Sequence, residues 1–450
     1  MSSFAVRPAR RPLTGSVPVP SDKSISHRAL IFASLAATPS ELRGFSRGGD
    51  NVSTLEAFRA LGVRFHDLGP EAVRVEPCGL GGLAAPSHDL DCGNSGTTMR
   101  LLSGVLAGQR FASRLVGDAS LSRRPMRRIV EPLTARGARL RGAAHPTRAG
   151  DVTPPLAVEG LAPGSRLREA SIELAVASAQ VKSCLLLSGL FAEGPTTVTE
   201  PLLSRDHTER MMDALGLPIR AVGTVVRLEP LASGAELPGF EIDLPGDPSA
   251  AAFLLVGAAV VPGSHVTARR CGLNPTRTGI LDVLRAAGAR TGITPHGDSL
   301  GEPVGEVSAW HGELRGTSIA GELALRAIDE IPIACVLAAR ARGVTELADL
   351  AELRVKESDR LAEMAGVLRA FGVEVEERPD GLRIEGVPDA PLRAARVESH
   401  GDHRVAMSAA VLALCAQGES VIEDVDCVAT SFPRFAGTLR ALGAEVEVRP

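Results

Sequence analysis

Tyrosine is absent from this 450-residue chain, tryptophan occurs once, and aromatics together make up only 3% of it. Its cores must therefore be built from Ala, Leu and Val, within a hydrophobic content of 44%. The same shortage removes the stacking platforms on which single-stranded nucleic acid binds. Positive charge is not in excess either. The formal net charge is −4, so no global basic field draws in nucleic acid or a membrane surface, and any cationic site must be local. No uninterrupted apolar run reaches the roughly 18 residues that a spanning helix needs. Cys78, Cys92, Cys184, Cys271, Cys335, Cys415 and Cys427 are scattered, with no Cys-x-x-Cys pair. That is the pattern of free thiols in a reducing compartment and not of a disulfide framework. The Met1–Arg11 tip contains Ser and Arg but no apolar signal core. A soluble, cytoplasmic protein is expected, with no nucleic-acid or membrane partner.

Several chemical signatures are missing as well. No G-x-G-x-x-G follows a strand, and the Gly/Lys/Ser-Thr arrangement of a phosphate-binding P-loop does not occur. Ser21 and Ser24 lack partners for a Ser-His-Asp set. His400-Gly-Asp-His403 has the look of a metal pair, but no third His or Cys ligand lies near it in the sequence. No metal and no cofactor are expected.

What the chain does have is a repeat. A polar, often glycine-bearing cluster runs into a small-residue apolar helix six times. The starts are Ser21-Asp-Lys-Ser24, Gly93-Asn-Ser-Gly-Thr-Thr98, Ala177-Ser-Ala-Gln-Val-Lys-Ser183, Pro245-Gly-Asp-Pro-Ser249, Ile328-Asp-Glu-Ile-Pro332 and Gly401-Asp-His-Arg404. A second, amphipathic helical pattern recurs in step and ends in a glycine turn, at Gly62, Gly137, Gly216, Gly288, Gly372 and Gly443. Glycine there fits a left-handed C-cap. The spacing (62 to 137 is 75 residues, 372 to 443 is 71) is too long for a solenoid module of about 20–50 residues. Each unit has room for two helices and several short strands, such as Val373-Glu-Val-Glu-Glu377 and Gly381-Leu-Arg-Ile-Glu-Gly386. Three units per domain give two α/β domains of about equal size. The Pro/Gly-rich passage Leu237–Pro248 is the best boundary between them. A second crossing near Val17–Pro20 places residues 21–243 in the first domain, and residues 1–20 with 244–450 in the second.

Cations sit in or beside many of the repeated helix starts. Lys23 and Arg28 belong to the first and Arg100 to the second; Arg124 lies in Gly117–Met126 and Arg205 in Ser204–Glu209. Lys356 and Arg360 fall in Leu353–Leu361, and Arg404 in the last start. Free backbone N–H groups and the helix dipole favour an anion at such places. Lys356 and Arg360 are four residues apart, which predicts one helical face, where like charges repel by a few tenths of a kcal/mol unless an anion lies between them. Most other arginines, Arg110, Arg127 and Arg340 among them, read as solvated surface groups. Carboxylates are few beside the selected cations. Asp329 and Glu330 precede Pro332, and Glu357 adjoins Lys356. A carboxylate among cations can serve as a base while a neighbouring ammonium orients a hydroxyl; a helix N-cap is the alternative for Asp329.

Taken together, Ser21-Asp-Lys-Ser-Ile-Ser-His-Arg28, Gly93-Asn-Ser-Gly-Thr-Thr-Met-Arg100, Arg123-Arg-Pro-Met126, Val355-Lys-Glu-Ser-Asp-Arg-Leu361 and Gly401-Asp-His-Arg404 give the chain its resemblance to the 5-enolpyruvylshikimate-3-phosphate synthases, or 3-phosphoshikimate 1-carboxyvinyltransferases. Five motifs in the family's order span essentially the whole length. The resemblance implies the enolpyruvyl transferase fold, an inside-out α/β barrel of two similar domains. Each domain has three βαβαββ-type units, and the active site lies in the interdomain cleft. It implies transfer of the enolpyruvyl group of phosphoenolpyruvate to the 5-hydroxyl of shikimate 3-phosphate, with release of phosphate. Carried over, Lys23, Ser24, Arg28, Ser178, Ala179 (by its backbone), Gln180, Arg205, Asp329 and Lys356 would bind shikimate 3-phosphate. Lys23, Asn94, Gly96, Arg124, Gln180, Arg360 and Arg404 would surround phosphoenolpyruvate. Asp329 would be the proton acceptor with Lys356 beside the same hydroxyl, Lys23 would assist, and Glu357 would be implicated in proton transfer to the methylene carbon. The reaction breaks a C–O bond and not a phosphoryl bond, so no metal ion is demanded.

Two positions qualify the resemblance. Some members carry a Lys where this chain has Thr430, in Cys427-Val-Ala-Thr-Ser-Phe-Pro433, so no role of that Lys transfers. Members that tolerate glyphosate can have Ala in the place of Gly96, and the glycine implies sensitivity. Two other readings stay open. One is a related enolpyruvyl transferase acting on a UDP-sugar, whose reactive loop Cys has no counterpart in Gly117–Arg128. The other is a non-catalytic anion-binding relative, which would have no use for Asp329 and Glu357. A monomer is expected.

Overall fold

Six four-stranded sheets of one connectivity make up the computed structural model, which describes residues 2–450. In each sheet a first strand pairs in parallel with a second, and two further strands follow antiparallel. Leu90–Asp91, Ser113–Val116, Val152–Glu159 and Arg139–Ala144 lie in that order, for example, with Leu90 opposite Leu115 and Ser113 opposite Val158. The order along the chain is strand, central helix, strand, outer helix, strand, strand: the βαβαββ unit six times over. Two sheets draw their strands from far along the sequence. Thr14–Pro18 pairs in parallel with His265–Gly272, and Glu241–Asp243 with Ser40–Arg43. The last unit is completed by the chain's first strand: Ser3–Val6 lies between Ser420–Glu423 and Val446–Arg449.

The chain divides into two compact units. One comprises residues 21–244 with 299–302, and the other residues 1–20, 245–298 and 303–450. Each has its own apolar core. The central helices are buried all round, as their composition requires. Every residue of Pro248–Val260, Ile331–Ala339 and His403–Ala413 is buried, and so is nearly all of Lys23–Leu35, Gly96–Leu106 and Ala179–Gly189. The outer helices, such as Arg127–Ala135 and Gly279–Ala286, bury one face only. Each outer helix ends at one of the glycines read as C-caps, and all six have positive φ, from 74° at Gly216 to 111° at Gly443. An L side chain would be strained there. All seven cysteines are unpaired, and burial pushes the thiols of Cys184 and Cys335 up to about 12. Among the described residues, no helix is long and apolar enough to cross a membrane.

With so few aromatics, the cores are closed by small residues that let helices approach. Gly104 shows this most clearly. A Cβ at Gly104 would lie 2.2 Å from the carbonyl oxygen of Cys184, so Gly96–Leu106 and Ala179–Gly189 touch backbone to backbone. Gly104→Ala is expected to force them apart and lower stability by about 1–3 kcal/mol, as overpacked cores do. Thermal unfolding followed by circular dichroism checks this, and an unchanged Tm would show that the contact has slack.

Candidate active site

In the unit of residues 21–244, three central helices begin beside one another and each is capped by a side chain. Asp22 accepts from the Ile25 N–H at 2.9 Å, Ser95 from the Thr98 N–H at 3.1 Å, and Ser178 from the Val181 N–H. Capping satisfies donors that the helix itself cannot. Their first turns then meet through side chains. Arg28 is 3% exposed and donates to the Thr208 hydroxyl (2.7 Å), the Ser183 hydroxyl (2.7 Å) and the Ser24 carbonyl (2.9 Å). Burial pushes the Arg28 guanidinium down to about 10; Glu209, Asp22 and Glu302 oppose that shift, and the nearby positive charge of Arg205 adds to it. Two cations 177 positions apart (205 − 28) are thus electrostatic neighbours.

Beside them, Arg100 donates to Gln180 Oε1 at 2.8 Å, and the Gln180 amide donates to Thr97 Oγ1 at 2.9 Å. Arg124 donates to Asn94 Oδ1 at 2.6 Å, and Asn94 in turn to Asp118 at 2.7 Å. A Cβ at Gly96 would sit 2.6 Å from Arg100 Nη1 and 3.1 Å from Arg124 Nη1, so the glycine leaves room for both guanidiniums. Lys23 is ion-paired with Asp50 at 2.9 Å. Ser24, Ser178, Ala179 and Arg205 are half-buried around these groups. Lys23, Ser24, Arg28, Asn94, Gly96, Arg124, Ser178, Ala179, Gln180 and Arg205 all lie in this one unit.

The other unit holds Asp329, Lys356, Glu357, Arg360 and Arg404. Arg360 is 2% exposed and engages three carboxylates: Asp402 at 2.8 Å, Glu357 at 2.7 Å and Asp329 at 3.4 Å. Burial works against the Arg360 charge, but Asp402, Glu357 and Asp329 outweigh it and hold its pKa above the ordinary value. Asp402 is pushed up by burial and pulled down more strongly by Arg360 and His403, ending below the usual carboxylate range. Arg404 donates to the backbone carbonyl of Asp329 at 2.8 Å and lies 3.9 Å from its carboxylate. Asp402 also caps His403–Ala413 by accepting from the Arg404 N–H at 2.9 Å. Asp329 is not the N-cap of the helix Ile331–Ala339, a position that Glu330 holds. It sits in the 3₁₀ turn Ile328–Glu330, its carboxylate turned to the two arginines.

Some expectations need correcting. Lys356 and Arg360 do not share a helical face. Lys356 follows the 3₁₀ turn Ala351–Val355, and the helix begins only at Arg360, because Asp359 caps it by accepting from the Ala362 N–H at 3.1 Å. Thr430 ends the 3₁₀ turn Asp426–Thr430 and donates to the Cys427 carbonyl at 2.7 Å. His400 Nδ1 lies 2.9 Å from Glu363 Oε2, apart from His403, which is buried at its helix start.

Other residues at the site escaped the sequence reading. Asp402 stood inside a quoted motif, but nothing marked it as the Arg360 partner. Thr98 and Glu209 likewise stood inside quoted segments without being singled out. Asp50, Thr54 and Glu200 had no signal at all. Glu200 and Glu209 bind the Lys182 ammonium at 2.7 Å each.

Similarity to known proteins agrees with this arrangement. Residues 8–439 match the family model of EPSP synthase (3-phosphoshikimate 1-carboxyvinyltransferase). The chain belongs to that family. Among curated relatives, the 3-phosphoshikimate 1-carboxyvinyltransferase of Geobacter metallireducens is 50% identical over 446 residues, covering 99% of this chain and all of the relative. That of Geobacter sp. (strain M21) is 48% identical, covering 98% and 99%. Among solved structures, EPSP synthase from Acinetobacter baumannii is 40% identical with a TM-score of 0.88, each chain covered in full. The fold is that of the EPSP synthases.

One buried group in the first motif makes a test without substrate. His27 is fully buried, with Nδ1 2.7 Å from Thr54 Oγ1, which in turn lies 2.7 Å from Thr98 Oγ1; its Nε2 has no hydrogen-bond partner. Burial is the main cause that pushes His27 down to about 3. The unfolded chain therefore binds a proton at about pH 6.5 that the folded chain refuses until about pH 3. Stability should fall as pH drops through that window, at up to about 1.4 kcal/mol per pH unit from this group. His27→Gln should lose stability less steeply between pH 7 and 5 in denaturant titrations. Parallel slopes for the two proteins would show that His27 is not refused its proton.

Proposed function

We propose that the chain catalyses the family's reaction with the residues described above. It transfers the enolpyruvyl group of phosphoenolpyruvate to the 5-hydroxyl of shikimate 3-phosphate and releases phosphate, the shikimate-pathway step toward chorismate and the aromatic amino acids. It does so as a monomer in the cytoplasm. The observation that carries the residue assignment is the setting of Asp329: a half-buried carboxylate with Arg360 on its oxygen and Arg404 on its own carbonyl. A site for binding anions alone gains nothing from a carboxylate held there.

The chemistry sets the requirements. Carbon 2 of phosphoenolpyruvate gains a C–O bond to the acceptor and loses one to phosphate. The proton that the methylene carbon takes up during addition must leave again during elimination. Two anionic substrates must also be brought together against their mutual repulsion, which takes several fixed cations. Lys23, Ser24, Arg28, Ser178, Ala179, Gln180 and Arg205 hold shikimate 3-phosphate, with the Arg28–Arg205 pair suited to its phosphate. Lys23, Asn94, Gly96, Arg124, Gln180, Arg360 and Arg404 hold phosphoenolpyruvate. Asp329 takes the proton of the attacking 5-hydroxyl, oriented by Lys356. Glu357, which Arg360 holds at 2.7 Å, exchanges the methylene proton. No protein group other than an acid–base pair and positioned cations is needed.

A phosphate-release assay with phosphoenolpyruvate and either shikimate 3-phosphate or a UDP-sugar as acceptor tests the reading. Turnover is expected with shikimate 3-phosphate only, and Asp329→Asn should lower kcat by about 10²–10⁴-fold, as loss of a general base does. Turnover with the UDP-sugar alone, or with neither acceptor, would overturn it. The space at Gly96 gives a second test. Gly96→Ala places a methyl group against Arg100 and Arg124 and should raise KM for phosphoenolpyruvate by about tenfold or more, the scale of one misplaced methyl group in a fitted site. Glyphosate inhibition should weaken in parallel. An unchanged KM would mean that the two guanidiniums can retreat without consequence.

A further inference from the structure

The largest buried charge cluster that the reaction chemistry leaves unused lies in the unit of residues 21–244. Lys182 is fully buried with its ammonium between Glu200 and Glu209, and the two carboxylates are 1% and 5% exposed. Such a cluster is a poor means of stabilising a core, since a hydrophobic replacement of a buried ion pair is often as stable or more so. What distinguishes this one is where the remaining bonds of Glu200 go. One carboxylate oxygen accepts from the Ser178 N–H at 3.2 Å and from the Ser204 hydroxyl. The other accepts from the Ser204 N–H at 3.2 Å and from Lys182 at 2.7 Å. None of these partners is a generic core group. Ser178 caps the helix Ala179–Gly189 at the Ser178-Ala-Gln180 segment, and Ser204 immediately precedes Arg205.

The rest of the cluster points the same way. Lys182 and Glu209 are the chain neighbours of Ser183 and Thr208, the two hydroxyls that hold the Arg28 guanidinium at 2.7 Å each. The ion pair Lys182–Glu209 therefore fastens together the two segments that present Arg28 with its acceptors. The pair Lys182–Glu200 fastens together the two that present Ser178 and Arg205.

We propose that Glu200, with its charge balanced by Lys182, is a positioning residue for the acceptor substrate: it locks the Ser178–Gln180 and Ser204–Arg205 segments in the spacing that the acceptor's phosphate requires. This rests on the assignment of those segments to shikimate 3-phosphate made above. Glu200 touches no substrate and takes no part in proton transfer. Its contribution is to fix two segments before the ligand arrives, so that binding does not have to order them.

Glu200→Gln keeps the shape but has one accepting oxygen in place of two, so whichever way the amide turns it loses either the Ser178 N–H or the Ser204 N–H, and the tie between the two segments is broken. Steady-state kinetics of the full-length variant should show KM for shikimate 3-phosphate raised about tenfold, with KM for phosphoenolpyruvate within about twofold of wild type and kcat within about threefold. Because Glu200→Gln changes the charge around Lys182 and can lower stability, the triple variant Glu200→Gln/Lys182→Met/Glu209→Gln is measured beside it. It removes all three buried charges together and should recover Tm without recovering the KM for shikimate 3-phosphate. Equal rises in both KM values, a fall in kcat alone, or recovery of KM along with Tm would each overturn the proposal and leave the cluster a purely structural one. Wild-type turnover separates this from a failure of the functional reading. If the wild type does not use shikimate 3-phosphate, that reading falls and this inference with it; if it does, the variants judge Glu200 alone.

Discussion

Three helix N-termini brought side by side repel one another, because each carries the equivalent of about half a positive charge. Both units of this protein are built around such a meeting. In one, Arg28, Arg100 and Gln180 tie together the starts of Lys23–Leu35, Gly96–Leu106 and Ala179–Gly189. In the other, Ser249 bonds Glu330, and Arg404 bonds the carbonyl of Asp329, joining the starts of Pro248–Val260, Ile331–Ala339 and His403–Ala413. The repulsion is met from within by capping carboxylates and hydroxyls, Asp22, Ser95 and Ser178 in the first case, Asp247 and Asp402 in the second. Added arginines make the excess of positive potential larger still. An anion bound at such a meeting would relieve that excess.

The close meeting depends on composition. Bulky aromatics at the helix contacts would hold the axes apart; Gly104 against the Cys184 carbonyl shows how little space is left. Hydroxyls fill the gaps that remain. The chain from His27 through Thr54 and Thr98 to Ser95 fixes three helices by hydrogen bonds of 2.7–2.8 Å, in place of the large side chains that the sequence lacks. Buried charge is tolerated in the same surroundings because it is paired. Arg277, 2% exposed, bonds Asp247 and Ser249 at 2.8 and 2.9 Å.

Local chemistry was readable along the chain. Glycine at a left-handed cap and a polar cluster before an apolar run depend on a few neighbouring residues, and all twelve such helix ends lie where these signals place them. The Lys356–Arg360 expectation failed through the same kind of chemistry, because Asp359 made a better helix start than the four-residue spacing allowed for. Partners that only the fold brings together left no trace in sequence. Glu200 stands at the end of an ordinary strand, 18 residues from Lys182 (200 − 182), and its role shows only once Ser178 and Ser204 are seen on the same carboxylate. Family motifs supplied the candidate substrate ligands; they were silent on what holds those ligands in place.

The pairing of the first strands sets an order on synthesis. Residues 21–244 contain nearly every partner that their own sheets need, so that unit can close while the remainder of the chain is still being made. Ser3–Val6 and Thr14–Pro18 precede that unit along the chain, yet their partners, Ser420–Glu423 with Val446–Arg449 and His265–Gly272, all follow it. Thr14–Pro18 must therefore stay unpaired until His265–Gly272 has been made, and Ser3–Val6 until Ser420–Glu423 has. Such long-range pairing is slow and leaves strand edges exposed in the interval. For this protein the interval of exposed strand edges spans the synthesis of everything between Val6 and Ser420.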